Sequence, residues 1–350
     1  MSKAKKKNKK EYVAVGGQAL MEGIMMRGPK GMAMSLRLPD GSIETQMKDF
    51  VSIRKKFKPF NIPLIRGIVS FVESMFSGYK LLMESAEKTA LDGMEAENES
   101  KLDKWLSDHF GPKMMSAIGF IAAVLGVAIS FLLFMYMPTK LFELIDVYLV
   151  KGRFDISMWR ALFEGIIRVI LFLVYMVAVA RMKDIRRVYM YHGAEHKTIF
   201  CFEHGKELTV ANIREEKRFH PRCGTSFIFV TIILSILISS IVSIAFPFLT
   251  VNKWVWIATK VLMLPLIMGV GFEFIQLAGK YPNKFTRLLS APGLLMQRIT
   301  TVEPTDDIIE VAIEAMKGAL TGEVPVKEEK PAEESAEENG EEESASKPEE

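Results

Sequence analysis

Histidine and cysteine residues are concentrated in one short part of this 350-residue chain. Four of its five histidines and both of its cysteines lie between Tyr191 and Gly224. The first group is the run His-Gly-Ala-Glu-His at 192–196, and the second is His-Pro-Arg-Cys at 220–223. Imidazole and thiolate groups are common zinc ligands in proteins. This crowding therefore indicates a metal site.

A helical spacing would let the first two histidines bind one ion. If the chain is helical through Arg181–Glu203, as a continuation of an apolar segment before it, His192 and His196 lie one turn apart on the same face. Glu203 shares that face but lies about 10 Å further along the axis, too far for the same ion. Cys201 points to the opposite side. Further ligands must therefore come from another segment.

His220 and Cys223 are the nearest source of these ligands. Three nitrogen or sulfur ligands plus a water would make an open, catalytic Zn²⁺ site, whereas four protein ligands would close a structural one. Glu195 flanks the histidine pair and could act as general base on the metal's water. The sequence therefore predicts one divalent ion, Zn²⁺, bound by His192 and His196 together with His220 or Cys223.

Other interpretations of these residues remain open. The run at 192–196 also matches His-x-x-Glu-His, the inverted zinc-protease motif, in which a downstream glutamate such as Glu273 completes the site. Cys223 near His220 would also fit an activated thiolate. The histidines could instead be packing or hydrogen-bonded residues at a membrane surface.

Long apolar helices must position these groups. Four segments have the length of about 20 residues that is needed to cross a hydrocarbon core. They predict a mainly α-helical integral membrane protein with about four transmembrane helices. No cleavable signal peptide is expected, because the lysine-rich residues 1–10 are not followed by a continuous apolar stretch. The segments are Met114–Met137, Trp159–Ala180, Phe227–Thr250 and Trp254–Ala278.

The distribution of basic residues predicts the orientation of these segments. The loop at 181–226 carries ten lysines and arginines, the loop at 138–158 carries three, and the last hairpin has only Lys253. Positively charged loops stay in the cytoplasm. Both termini and the 181–226 loop are therefore expected on the cytoplasmic side. Disulfides are not expected there, because the cytosol keeps thiols reduced.

The remaining segments predict smaller elements around the spans. Residues 11–60 form a small β-rich region with strands at Tyr12–Val15, Met32–Leu38 and Ser42–Met47, and Pro39-Asp40-Gly41 supplies a hairpin turn. Within 61–113, the apolar stretch Pro63–Met83 carries Arg66, Glu73 and Lys80 along one stripe, which favours an interfacial helix over a span. An amphipathic helix with Thr305 as N-cap is expected within 280–320.

The two ends of the chain carry opposite charge. Residues 321–350 contain twelve glutamates and three lysines and are expected to be disordered, whereas residues 1–10 form a polybasic start. The chain outside the acidic tail carries about +12 against +3 for the whole. Cytoplasmic retention explains most of this excess, and attraction to anionic lipids is the functional alternative. A membrane protein partner or a second copy of the chain remains open, and no nucleic-acid partner is expected.

Four sequence runs in order resemble the YqhQ family of bacterial multi-pass membrane proteins, a family of unknown function. They are GGQALMEGIMMRGP at 16–29, HGAEHKTI at 192–199, HPRCGTSF at 220–227 and PGLLMQRITTVEP at 292–304. The resemblance covers roughly residues 11–320 and implies a metal-dependent enzyme of the bacterial cell membrane, without an established reaction. The polar positions to which it points are Glu22, Arg27, His192, Glu195, His196, Glu203, His220, Arg222, Cys223, Glu273 and Glu303.

Three classes of function fit these observations. The first is a metal-dependent hydrolase at the cytoplasmic face. The second is a non-catalytic membrane factor, in protein biogenesis or a regulatory complex, whose metal only holds the 181–226 loop. A transporter is the third, but the spans contain few charges, and Glu164 and Arg168 at i and i+4 could simply pair with each other.

Overall fold

The computed structural model describes residues 15–49, 52–90, 121, 124–150, 156, 159–221, 223–280 and 284–323. The polybasic start, most of the predicted strand at 12–15, residues 91–113 of the predicted 61–113 region and the acidic tail from 324 lie outside these ranges.

The N-terminal region is a four-stranded antiparallel sheet in the order β1-β2-β3-β4. The strands are β1 (Gly16–Leu20), β2 (Gly23–Gly28), β3 (Gly31–Arg37) and β4 (Ile43–Lys48). The predicted strands at 32–38 and 42–47 and the turn between them are confirmed. The β1–β2 hairpin was not predicted, because its glycine- and methionine-rich strands contain only one of the β-branched residues typical of strands, Ile24.

In the part of the chain that the structure describes, further helical elements follow the sheet, after two short helical turns at Ile53–Lys56 and Lys58–Asn61. They are α1 (Ile65–Ala90), α2 (Val124–Val150), α3 (Arg160–Val179), α4 (Lys183–Glu203), α5 (Val210–Arg214), α6 (Gly224–Ala245), α7 (Lys253–Lys280), α8 (Lys284–Thr300) and α9 (Asp306–Thr321). A single turn at Phe248–Val251 joins α6 to α7.

Within the described residues, α2, α3, α6 and α7 are long and apolar enough to cross a membrane. The starts of α3 and α7 meet, since Arg160 donates to the carbonyl of Thr250 and Glu164 pairs with Lys260. The sheet, α4 and α9 therefore connect to the opposite ends of the spans. The spans form one layer of the molecule and the sheet with its helices forms another.

Two predicted helix boundaries are wrong. The first span was expected to end at Met137, but α2 continues to Val150, so the loop at 138–158 is largely helical. Pro138 does not end the helix. It lies in the first turn of the α-helical part Met137–Ile145, where proline is tolerated, and the π-helical segment Leu132–Tyr136 directly precedes that part. The expected continuous helix from the second span through Glu203 is broken at Ala180–Met182. The segment 181–226 between the second and third spans contains α4, so the helix on which His192 and His196 were expected is present, and α5 follows it.

Both faces of the sheet pack on helices. One face packs on α4 and α9, and the other packs on α1. Alternate residues of a strand point to opposite sides. Met26 and Ala33 accordingly join the core formed with α4 and α9, whereas Met34 and Leu36 pack with Leu81 of α1. The α1 helix thus links the sheet to the spans, as its other end lies against α7.

The α1–α7 contact relies on small residues and one ion pair. Cβ atoms built at Gly67 and Gly269 would touch Phe272 and Leu64, respectively, so the two backbones approach closely. The Arg66 guanidinium forms two hydrogen bonds with Glu273. The helix predicted at 63–83 is confirmed. It is not among the four helices that are both long and apolar enough to cross a membrane.

Candidate metal centre

The α4 helix is buried on all sides over its central turns. Residues 191–199 are nine consecutive buried positions. The sheet lies on one side of α4 and α9 on another, and the strand-like segment after α8 crosses Gly193. A Cβ at Gly193 would collide with the carbonyl oxygen of Val302, whose own N–H donates to Tyr189. Glycine at this position therefore lets the backbone at 302 pack directly on the helix.

Three candidate ligands meet at one point. His192 Nε2 lies 3.2 Å from Cys223 Sγ, and the rings of His192 and His196 are 4.4 Å apart between centroids. The candidate ligand atoms of His192, His196 and Cys223 all lie within 4.8 Å of one another. Ligands around a tetrahedral Zn²⁺ with bonds of about 2.0–2.3 Å are roughly 3.3–3.8 Å apart. The 3.2 Å between His192 Nε2 and Cys223 Sγ is close to this range, and the limit of 4.8 Å for the whole group is wider than it.

Backbone carbonyls fix the orientation of both imidazoles. His192 Nδ1 donates to the carbonyl of Thr300 at 2.8 Å, and His196 Nδ1 donates to the carbonyl of Arg218 at 2.5 Å. A carbonyl oxygen can only accept, so the proton of each neutral ring lies on Nδ1 and the lone pair on Nε2. Hydrogen bonds of this kind commonly orient metal-binding histidines.

The His196 imidazole fits a metal ligand in two further respects. Its Nε2 atom is buried and forms no well-aligned hydrogen bond with any residue that the structure describes. Burial lowers the pKa of His196, although interactions with the Cys223 thiol and the Arg218 carbonyl oppose this effect. The neutral form is the one that ligates a metal. A buried nitrogen lone pair beside a thiol and a second imidazole matches the donor set that Zn²⁺ prefers.

Cys223 and His220 have different positions despite their proximity in sequence. Cys223 directly precedes α6 and is partly exposed. The His220 backbone is held by Gln297, which accepts from its N–H at 2.7 Å and donates to its carbonyl at 2.8 Å. The His220 ring packs 4.7 Å from Phe200 and faces the Glu203 carboxylate at 3.8 Å. Of the two predicted alternatives, the structure brings Cys223 into the group with the histidine pair.

Glu195 is buried between the histidine-bearing face of α4 and the sheet. Its carboxylate accepts a hydrogen bond from the backbone N–H of Gly17, and a Cβ at Gly17 would touch the Glu195 side chain. Burial raises the pKa of Glu195, against opposing interactions with His192 and His220. The GGQ run thus has a clear local role, because its second glycine gives the Glu195 carboxylate access to the sheet backbone.

The other polar positions lie outside the group of three. Glu22, in the β1–β2 turn with φ of 48°, accepts hydrogen bonds from Arg187 and from the Tyr191 hydroxyl. Arg27 is exposed on β2. Arg222 is not among the described residues.

Two glutamates singled out from the sequence are also engaged elsewhere. Glu303 pairs with Lys197 and Arg218. Glu273 forms a two-point ion pair with Arg66 and accepts from the Leu64 N–H. The structure therefore does not bring Glu273 to the histidines, as the inverted protease motif would require. Cys201 is fully buried in the core on the other side of α4, as predicted.

Sequence reasoning missed the residues that support the ligands. Thr300 lies in the run at 292–304, but Thr300 and Arg218 act through backbone carbonyls, which any residue type provides, so their residue types give no signal. Gln297 and Gly193 do have a signal, because each lies inside one of the four characteristic runs. Gln297 is a polar residue in the mostly apolar run PGLLMQRIT, and this indicated that the segment covers a buried polar group.

Comparisons with known proteins identify the family of the chain. A family described as "Protein of unknown function (DUF1385)" matches residues 62–322. The uncharacterised protein YqhQ of Bacillus subtilis (strain 168) is 34% identical over 313 residues, which cover 88% of this chain and 92% of that protein. No solved structure matches this chain. From the extent of both matches, the chain belongs to the DUF1385 family, and the expected relationship to YqhQ is confirmed.

Proposed function

We propose that this protein is a membrane-embedded, metal-dependent hydrolase. Its divalent ion, Zn²⁺ from the chemistry of the donors, is held by His192, His196 and Cys223 at the cytoplasmic face of the bacterial cell membrane. The observation that carries the proposal is the pair of Nδ1–carbonyl hydrogen bonds. They leave two Nε2 lone pairs directed toward one thiol, and one of those nitrogens is buried without another well-aligned partner.

The number of ligands supports catalysis. Three protein ligands leave one position of a tetrahedral ion for a water or substrate, and catalytic zinc sites are built this way. Bound Zn²⁺ would supply Lewis-acid activation of water. Glu195 is the residue of this chain that would accept the proton, since its carboxylate is held by Gly17 and interacts electrostatically with His192.

A structural metal site in a non-catalytic membrane factor is the second candidate. The observation in its favour is burial: His192 is 9% exposed and His196 only 1%. A metal here would join α4 to the start of α6 and so fix the cytoplasmic elements on the spans. In this role the fourth coordination position of the ion would be closed, either filled by a protein group or inaccessible to small molecules. A catalytic ion would keep that position open.

Cobalt substitution separates the two roles without knowledge of the substrate. Co²⁺ replaces Zn²⁺ in similar geometry and its visible spectrum responds to each ligand. Addition of acetohydroxamate to the cobalt protein should shift the spectrum if the ion has an exchangeable position, and the thiolate band should persist. Cys201→Ser serves as the control and should respond as the unchanged protein does. A spectrum that hydroxamate leaves unaltered would reject the hydrolase and favour the structural site.

A further inference from the structure

A buried ion network lies where the four spans meet, away from the candidate metal centre. Glu164 of α3 is only 1% exposed. Its carboxylate accepts from Arg160 at 3.0 Å and from Lys260 of α7 at 2.5 Å. The indole N–H of Trp256 donates to the same carboxylate at 3.2 Å. One negative charge is thus shared by two cations.

Arg168 lies one turn further along α3 and adds a third cation. Glu164 does not form the expected i, i+4 ion pair with Arg168, because its oxygens are taken by Arg160 and Lys260. Arg168 Nε instead donates to the carbonyl of Phe134 at 2.9 Å. Within the described residues, no ion pair joins Arg168 to a carboxylate.

The Phe134 carbonyl needs this donor for a local reason. In a regular helix it would accept from the N–H of the residue four positions later, which here is Pro138 and has no N–H. The Arg168 side chain therefore replaces a missing backbone hydrogen bond with one edge of its guanidinium. Its Nη2 atom lies 4.0 Å from Met135 Sδ, and Arg168 lines the space between the helices.

That space is a cavity of about 290 Å³. Its walls are mostly apolar and come from α1, α2, α3, α6 and α7, and its polar groups include the cations of Arg168 and Lys260. Water occupies about 30 Å³ per molecule, so the cavity is large enough for a small headgroup and part of one acyl chain. Charged residues inside a membrane generally mark a functional site.

We propose that this cavity binds an anionic membrane lipid, with its phosphate at Arg168 and an acyl chain along the apolar wall of α6 and α7. Charge supports this occupant. Among the described residues Arg168 pairs with no carboxylate, whereas the buried cations Arg160 and Lys260 share Glu164. Arg160 also lies 3.9 Å from the partly exposed Glu143. The apolar walls can pack against an acyl chain but offer no ligands to a hydrated ion. The site does not depend on the proposed metal chemistry.

Lipid retention tests this site directly. The full chain is reconstituted in an equimolar mixture of phosphatidylglycerol and phosphatidylcholine, extracted in detergent, and its retained lipid is counted by native mass spectrometry. The unchanged protein should retain phosphatidylglycerol with a preference of about fivefold or more, and Arg168→Gln should lose this preference. Glutamine can still donate to the Phe134 carbonyl, so this variant removes the charge while sparing the helix. Arg168→Lys should keep the preference.

Control variants separate the cavity from surface charge. Arg181→Gln removes an exposed arginine near the end of α3 and should retain lipid as the unchanged protein does. Ser235→Phe fills the cavity without changing its charge and should reduce retention. Equal retention of both lipids by the unchanged protein, an unaltered preference in Arg168→Gln, or undiminished lipid retention in Ser235→Phe would each overturn the proposal. Displacement of the lipid by inorganic phosphate alone would overturn it as well.

Discussion

At the scale of single residues, the arrangement of the histidines depends on groups that lie far away in the sequence. The i, i+4 spacing puts both rings on one face of α4, and this much follows from the sequence once a helix is assumed. The ring orientation does not, because it requires the carbonyls of Thr300 and Arg218. The same argument explains Cys223, whose membership in the group depends on how the turn at 220–223 meets α6.

Gly193 offers a test of this packing that does not involve a ligand. Gly193→Ala should lower the free energy of unfolding by about 1–3 kcal/mol, because its methyl group would collide with the Val302 backbone. The loss would occur although alanine is the better helix former by about 1 kcal/mol. Thermal unfolding of the purified protein measures the effect.

Gly16→Ala is the matched control, since a Cβ at Gly16 has open space around it. Its effect should stay within about 0.5 kcal/mol. If both substitutions were equally harmless, Val302 would not pack on α4 as described.

At the scale of elements, apolar length was the most reliable signal. All four membrane-length helices were found from the sequence, because about 20 apolar residues are rare outside such helices. Their ends were harder to place. Pro138 was taken as the end of the first span, yet the preceding π-helical segment and the Arg168 side chain accommodate it. The β1–β2 hairpin was missed for the opposite reason, since glycines and methionines carry little strand preference.

The direction of the spans can be tested by cysteine labelling in intact cells. Lys206→Cys, after α4, should be protected from a membrane-impermeant maleimide, whereas Asn252→Cys, before α7, should react. The basic residues at 181–226 predict this asymmetry. The native cysteines provide the background measurement. Equal labelling of Lys206→Cys and Asn252→Cys from outside would contradict the proposed orientation.

At the scale of the whole molecule, the proposed metal site lies where separate parts of the chain converge. His192 and His196 belong to α4, which packs on the sheet. Cys223 directly precedes the α6 span, and Thr300 ends α8. An ion bound only in the folded state stabilises that state in proportion to its affinity. The site would thus connect the two layers of the protein as well as provide chemistry.

Metal content of the purified protein tests the central claim most directly. The unchanged chain, prepared without chelators, should contain one zinc ion per molecule by inductively coupled plasma mass spectrometry. The His192→Ala/His196→Ala double variant and Cys223→Ser should lose this ion, whereas Cys201→Ser and Glu195→Gln should keep it. A metal-free unchanged protein, or a full complement of metal in the double-histidine variant, would contradict the account.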